Sequence, residues 1–403
     1  MSYSEIPGGV TAPQGYLAGS VYCGIKAANA SRPDLALIHS TQHTVAAGTF
    51  TTNRVKAAPV RVSIAHLRGG GDIRTIIANS GNANACTGLA GIETAKRMAA
   101  ATAAALDLRP RQVMVCSTGR IGVPLPIEKI EASIAELPQA LTRTGSKCAA
   151  EAIMTSDTFA KEMAVEFEVD GKVVRLGGIA KGAGMIDPNM ATMLCFLTTD
   201  AAIEKKQLQH ALSVSVEQSF NRITVDGDMS TNDTVLMLAN GLAGNKPLHH
   251  GTGAFKLFQR ALDHVTKHLA RMIVEDGEGV TKFVEVHVNG ATTLSDARKA
   301  AEAVANSTLT KCAWFGGDPN WGRIMDALGY SGAKMREETV DIFYDGIIAV
   351  KGGMPSKTPF NKLQEIAAQK RFTITIDLHV GSAEYTVFTT DLSTNYVKLN
   401  MGE

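Results

Sequence analysis

Two short stretches of the chain carry residue types that do chemistry at spacings packing alone does not demand. The longer runs from Ile179 to Asp200 (IAKGAGMIDPNMATMLCFLTTD). Lys181 lies among glycines, the chain turns at Asp187-Pro188-Asn189, and an apolar run that reads as a strand follows with Thr192 at its start. A threonine hydroxyl attacks carbonyl carbons only when a base takes its proton. Threonine is also commonplace on strands, so the residues by themselves favour a glycine-rich turn before a core strand. The second stretch, Ser117–Gly122 (STGRIG), follows another apolar run. Gly119 permits close backbone approach, and the Thr118 hydroxyl with a neighbouring N–H could stabilise an oxyanion. A plain turn is the alternative.

Other chemistries find little support. His264 and His268 stand one helical turn apart with no third ligand nearby, and His249-His250 lies in a polar loop. Both read as solvated, so no metal site is expected. Neither GxxxxGK[ST] nor a GxGxxG between strand and helix occurs, and Lys181-Gly-Ala-Gly184 falls short of a phosphate loop. The serine-hydrolase elbow GxSxG is absent as well. The six cysteines, Cys23, Cys86, Cys116, Cys148, Cys195 and Cys312, include no CxxC pair and are too sparse for a disulfide scaffold.

The elements that must position these stretches alternate between α and β. Strands are predicted at 35–38, 44–50, 60–62, 73–78 and 112–116, and a hairpin over 161–167 and 172–176 turning at Asp170-Gly171. Further strands are predicted at 284–288, 342–350, 372–380 and 385–390. Helical periodicity marks 91–106, 126–137, 203–220, 253–272, 295–305 and 360–370. The last 120 or so residues read as a separate α+β module, although no linker marks a boundary.

The chain has 403 residues, with 40 Lys+Arg against 39 Asp+Glu. That balance speaks against binding nucleic acid through bulk charge and against an acidic disordered chain. The start lacks the basic and apolar regions of a secretory signal, and no apolar run is long enough for a membrane span. A cytoplasmic protein with reduced thiols is expected.

The Ile179–Asp200 block resembles the autoprocessing segment of the ornithine acetyltransferase family, the glutamate N-acetyltransferases of arginine biosynthesis. Further stretches are similar to that family's motifs, in family order and over nearly the whole chain. They are Ala47–Pro59 (AGTFTTNRVKAAP), Asn79–Gly88 (NSGNANACTG), Ser117–Gly122, Ala152–Thr158 (AIMTSDT), Asp276–Gly279 (DGEG) and Asn320–Arg323 (NWGR).

The resemblance implies self-cleavage between Ala191 and Thr192, giving an α chain, 1–191, and a β chain, 192–403, that stay associated. Residues 192–283 would complete the catalytic domain and 284–403 would form the smaller α+β domain. The implied fold is a layered α/β sandwich of the self-processing aminopeptidase type. Cleavage would free the Thr192 α-amine, a group with an ordinary pKa of about 7.7–8.0 and therefore a usable base. The hydroxyl would take acetyl from N²-acetyl-L-ornithine and pass it to L-glutamate, without a cofactor. Acetyl-coenzyme A stays open as an alternative donor.

By the same resemblance Thr118 and Gly119 form the oxyanion hole, and Thr155, Lys181, Thr192, Glu278 and Asn400 contact substrate. Lys181 suits a carboxylate, and Glu278 suits the ammonium of ornithine. A surface lysine and a helix-end glutamate are the ordinary alternatives for these two. The chain departs from the family at its end, where Asn400-Met-Gly-Glu403 lacks the usual terminal Thr or Ser. That bears on substrate preference, so a hydrolase or a secondary-metabolism paralogue using another N-acyl amino acid is the rival expectation. A non-catalytic assembly protein would need a lost nucleophile. No role follows for Lys311–Gly316 (KCAWFG) or for Arg323, which either anchors a carboxylate or ties the C-terminal module to the first domain. The family forms dimers of αβ pairs, which predicts a heterotetramer.

Overall fold

Alternating side chains give each strand two faces, and in this protein the apolar residues on those faces decide how the layers stack. The computed structural model describes residues 2–26, 32–70, 72–187 and 193–401. The chain divides into two units. One comprises Met1–Gly182, Asn189–Asn221 and Met229–Ile273, and the other Ala183–Pro188, Arg222–Asp228 and Val274–Glu403.

The strands of the first unit are β1 (Tyr3–Ile6), β2 (Tyr16–Val21), β3 (Leu35–Ser40), β4 (Val45–Phe50), β5 (Thr75–Asn82), β6 (Val113–Arg120), β7 (Lys161–Val169), β8 (Lys172–Lys181), β9 (Leu194–Thr199) and β10 (Thr234–Ala239). They form a six-stranded sheet, β1-β7-β8-β9-β10-β4, and a four-stranded sheet, β2-β3-β5-β6. All neighbours are antiparallel except the β9–β10 and β5–β6 pairs. Its helices are α1 (Ala58–Arg68), α2 (Gly88–Ala105), α3 (Ile127–Ile134), α4 (Leu137–Ala140), α5 (Ser146–Ala152), α6 (Lys205–Glu217) and α7, which runs on to Glu275 from Gly253.

Parity along the strands sorts the core. Ile38, Ile76, Met114 and Cys116 of the smaller sheet meet Ile179, Leu194, Phe196, Leu236 and Leu238 of the larger one. The opposite parity, Leu35, Leu37, Ile77, Val113 and Val115, packs against Val62 of α1, Met98 of α2 and Ile130 of α3. On the outer face of the larger sheet, Phe258 of α7 lies edge-on to Phe167 of β7. The result is helix, sheet, sheet, helix: a layered α/β sandwich. Each fully buried Val, Leu or Ile contributes about 1.5–3 kcal/mol.

Most predicted elements appear, with three differences. Val60–Val62 lies in the opening turns of helix α1, not in a strand: Pro59 opens the helix, and a V-x-V pattern this short fits either period. The stretch 126–137 breaks into α3 and α4. The strand predicted over 342–350 is a hairpin turning at Asp345 and Gly346, both with positive φ. The Asp170-Gly171 hairpin is present, with φ of 51° and 72°.

The second unit contains β11 (Phe283–Ala291), β12 (Asp341–Tyr344), β13 (Ile347–Lys351), β14 (Met354–Pro355), β15 (Arg371–Asp377) and β16 (Ala383–Thr390), ordered β14-β13-β12-β15-β11-β16. One sheet face is apolar and is covered by α8 (Leu294–Asn306), α9 (Thr308–Phe315), α10 (Trp321–Tyr330) and α11 (Phe360–Ala367), through Ala300, Val304, Trp314, Leu328 and Ile366. A short helix, α12 (Thr394–Leu399), follows β16.

Two motifs without assigned chemistry prove structural here. Asn320 caps α10, its side-chain oxygen accepting the Arg323 N–H at 3.3 Å. Arg323 donates to the Leu309 carbonyl at 2.7 Å within the same unit. Lys311 is buried and donates to the Thr389 and Thr390 hydroxyls at 3.0 and 3.2 Å, tying α9 to β16. Burial lowers its ammonium pKa to about 7. Asn320→Ala removes the cap and is expected to destabilise the protein by about 1 kcal/mol, read as a lower denaturation midpoint, with Asn320→Ser near wild type.

Candidate active site

The β5 and β6 strands run parallel, and their polar ends lie side by side. The register pairs Asn79 with Ser117, Ser80 with Thr118, and Gly81 with Gly119. The two glycine-bearing motifs therefore form one strand-end surface, the usual place for chemistry in α/β sheets. Gly81 and Gly119 both have positive φ, 96° and 130°. A Cβ on Gly119 would lie 2.3 Å from the Gly81 carbonyl carbon, so only glycine fits there.

A polar web holds the turn. The Ser117 hydroxyl donates to the Asn79 side chain at 2.6 Å, and the Asn79 amide donates to the Asn82 carbonyl at 2.9 Å. Asn232, just before β10, donates to the carbonyls of Ala83 and Ser117 at 2.7 and 2.8 Å. Next to it, Asp233 accepts the Met193 N–H at 3.0 Å. The described residue that follows Thr192 is thus tied to the strand that also holds the β6 end.

Strand parity carries the core into the site. Met114 and Cys116 of β6 and Ile179 of β8 face the layer between the sheets. Two residues on from Cys116 and Ile179, on the same face, come Thr118 and Lys181. Both are buried. The Lys181 ammonium donates to the Thr155 hydroxyl at 2.8 Å and lies 3.4 Å from the Thr118 hydroxyl. Lys181 also pairs in register with Leu194, the first residue of β9. The ordinary reading, a surface lysine beside a glycine turn, is therefore wrong.

Beneath this group lies Asp157, which the sequence reading passed over. Its carboxylate accepts Lys161 Nζ at 2.8 Å, the Gly182 N–H at 2.7 Å and the Thr155 N–H at 3.0 Å, with Lys181 Nζ 3.8 Å away. Burial opposes its charge, but the Lys181 and Lys161 ammonium groups outweigh burial and hold its carboxyl well below the usual carboxylate range.

Glu278 and Asn400 belong to the second unit and meet each other there. Asn400 Nδ2 donates to the Glu278 carboxylate at 3.0 Å, and the Glu278 N–H donates to the Ala183 carbonyl at 2.9 Å. Glu278 is half-buried, beyond the end of α7. A Cβ on Gly184 would stand 2.6 Å from its carboxyl carbon, so the second glycine of KGAG makes room for this acid. Of the predicted residues, Thr118, Gly119, Thr155 and Lys181 are together in the first unit, and Glu278 and Asn400 are together in the second. Ala191 and Thr192 lie outside the described residues. Among the described residues no cluster could hold a metal ion. His264 Nε2 is instead 2.9 Å from Glu5.

The inter-sheet core of this layered α/β sandwich thus ends in hydroxyls, a conformationally obligatory glycine and a buried lysine. The comparisons give the family: the chain belongs to the ArgJ family, whose model matches residues 17–402. The arginine biosynthesis bifunctional protein ArgJ of Symbiobacterium thermophilum is 48% identical over 395 residues, covering 98% of each chain. The glutamate N-acetyltransferase of Methanocaldococcus jannaschii is 47% identical over 406 residues, also covering 98% of each. The crystal structure of the ArgJ protein from Bacillus halodurans is similar at 40% identity and a TM-score of 0.50, covering 52% of this chain and 98% of that one. Among the described residues no helix is long and apolar enough to cross a membrane.

Proposed function

We propose that the chain is a glutamate N-acetyltransferase that moves acetyl from N²-acetyl-L-ornithine to L-glutamate through an acetyl-Thr192 ester. The observation that carries the assignment of residues is the contact of Lys181 with both Thr155 and Thr118, at a position in register with Leu194. Thr192 precedes Leu194 by two residues and shares its sequence parity. The full-length likeness to proteins named for this activity supports the reaction.

The chain is cut before Thr192, and the new α-amine takes the hydroxyl proton. Thr118 and the Gly119 N–H receive the negative charge that develops on the acetyl oxygen. The family resemblance gives the substrate carboxylate to Lys181 and Thr155, and the ornithine ammonium to Glu278 with Asn400. Ornithine leaves, glutamate takes its place, and its amine attacks the ester. The cut falls between β8 and β9, antiparallel neighbours over Leu176–Lys181 and Leu194–Thr199. Their ladder keeps the 1–191 and 192–403 fragments together. Two such pairs form a heterotetramer in the cytoplasm. No cofactor is required, and acetyl-coenzyme A stays open as a second donor.

Isotope exchange tests the covalent step. Labelled ornithine should enter N-acetylornithine with no glutamate present, because ornithine release alone completes a half-reaction. Transfer to glutamate without that exchange would mean a direct mechanism and no acetyl-enzyme. Glu278→Gln should raise the KM for N-acetylornithine roughly 10-fold or more, by removing the charge partner of the ammonium. The KM for glutamate should change far less, which steady-state kinetics with each substrate in turn would show.

A further inference from the structure

Shortly before the cut the chain makes a turn that its own side chain does not support. Met185 has a φ of 58°, in the left-handed region that a Cβ disfavours. Asn and Asp reach that region with help from their own polar side chains, but methionine has no such group, and this one is exposed. Support comes from Asp226, in the loop before β10. One of its carboxylate oxygens accepts the Met185 N–H at 2.7 Å, and the other accepts the Ile186 N–H at 2.8 Å. Successive N–H groups converging in this way form an anion-binding nest, and here the anion is part of the chain. The Ile186 carbonyl is fixed too, accepting the Val225 N–H at 2.8 Å and the Thr224 hydroxyl at 3.1 Å. All these residues belong to the second unit. Asp226 also accepts the Asp228 N–H at 3.3 Å and the Tyr396 hydroxyl of α12 at 3.2 Å. Burial pushes its pKa up, and the Met185, Asp228 and Ile186 N–H groups act against that rise.

Met185 and Ile186 stand six and five residues before Ala191. Strained backbone that its surroundings hold in place clusters at functional sites. We propose that Asp226 is a positioning residue for self-cleavage, pinning the turn at Met185 and so fixing the chain that presents the bond between Ala191 and Thr192. The inference rests on the self-cleavage reading above and adds a residue to it. In that step the Thr192 hydroxyl oxygen bonds to the Ala191 carbonyl carbon, the carbon–nitrogen bond breaks, and the hydroxyl proton passes to the Thr192 nitrogen. Water then hydrolyses the ester, leaving a carboxylate on Ala191 and a hydroxyl on Thr192, with one proton released. Asp226 exchanges no proton or bond with these atoms. It restricts where the Ala191 side of the bond can lie.

The test follows cleavage of the freshly translated full-length chain over time by denaturing electrophoresis, with the unfolding temperature of each purified variant read alongside. An amide accepts hydrogen bonds at one oxygen only, so Asp226→Asn releases one of the two N–H groups and should slow cleavage roughly 10-fold. Glycine adopts a positive φ without penalty, so the double variant Asp226→Asn/Met185→Gly should return the rate to within about threefold of wild type. Tyr396→Phe frees α12 from the carboxylate and should leave the cleavage rate unchanged.

An Asp226→Asn chain cut at the wild-type rate overturns the proposal. So does a double variant as slow as Asp226→Asn, or a Tyr396→Phe chain slowed equally, which would place the effect in α12. If the carboxylate only braced the fold, cleavage and thermal stability would fall together in all these variants. Met185→Val decides if Asp226→Asn does not fold. A β-branched residue is an outlier at positive φ, so with Asp226 intact this variant should be cut roughly threefold more slowly or worse, and an unchanged rate overturns the proposal. A wild-type chain that stays whole would instead count against the self-cleavage reading itself.

Discussion

Thr192→Ala is expected to leave a single chain of 42.6 kDa that transfers no acetyl group. The substitution removes only the hydroxyl and a methyl group, yet it removes the atom proposed to attack both the preceding peptide bond and the acetyl carbon. Losses of a nucleophile in comparable acyl-transfer enzymes reach about 10⁶-fold in kcat, so activity should fall to background. Thr192→Ser keeps a hydroxyl and should still be cut. Denaturing electrophoresis separates the outcomes: two fragments for wild type and Ser, one band for Ala. An Ala variant that is still cut at the same bond would show that another group performs the cleavage.

Thr118→Val is the second large effect. Valine keeps the shape of threonine and removes only the hydroxyl. At this buried position, 3.4 Å from the Lys181 ammonium, that hydroxyl is the side-chain donor proposed for the oxyanion. Loss of one such donor lowers kcat by roughly 10²–10³-fold. KM should stay within a few-fold, because the group acts on charge present only in the transition state. A Thr118→Val enzyme with normal kcat and raised KM would make Thr118 a ground-state contact of Lys181 or substrate instead. Gly119 does not allow so clean a test, since any Cβ there collides with the Gly81 backbone.

How much of this was legible in the residues differs from element to element. Long helices such as α7 and strands with alternating burial such as β15 were readable, because their period repeats several times. The Asp170-Gly171 hairpin was readable from its turn chemistry. The same Asp-Gly signal at Asp345-Gly346 was hidden inside an apolar run that looked continuous. The β10 strand and its preceding Asn232 and Asp233 were missed. Their importance lies in reaching Ser117 and Met193, contacts more than 35 residues away that no local pattern encodes.

The site shows the same division. Motif resemblance singled out Thr118, Gly119, Thr155 and Lys181, and the fold places these four together. Asp157 sat inside a quoted motif, yet its weight appears only when Lys161 and Lys181 are seen converging on it from β7 and β8. The burial of Lys181 was likewise invisible in the sequence, where a lysine among glycines looks exposed. Parity explains it: Lys181 continues the inward face begun by Ile179.

Intact mass of the purified protein, taken before and after adding N-acetylornithine, tests the central claim most directly. Self-cleavage and a covalent acetyl-enzyme predict two fragments divided between Ala191 and Thr192, with the 192–403 fragment alone gaining about 42 Da, the mass of one acetyl group held as a covalent ester. A full-length chain that never gains that mass, under conditions where acetyl reaches glutamate, would contradict it.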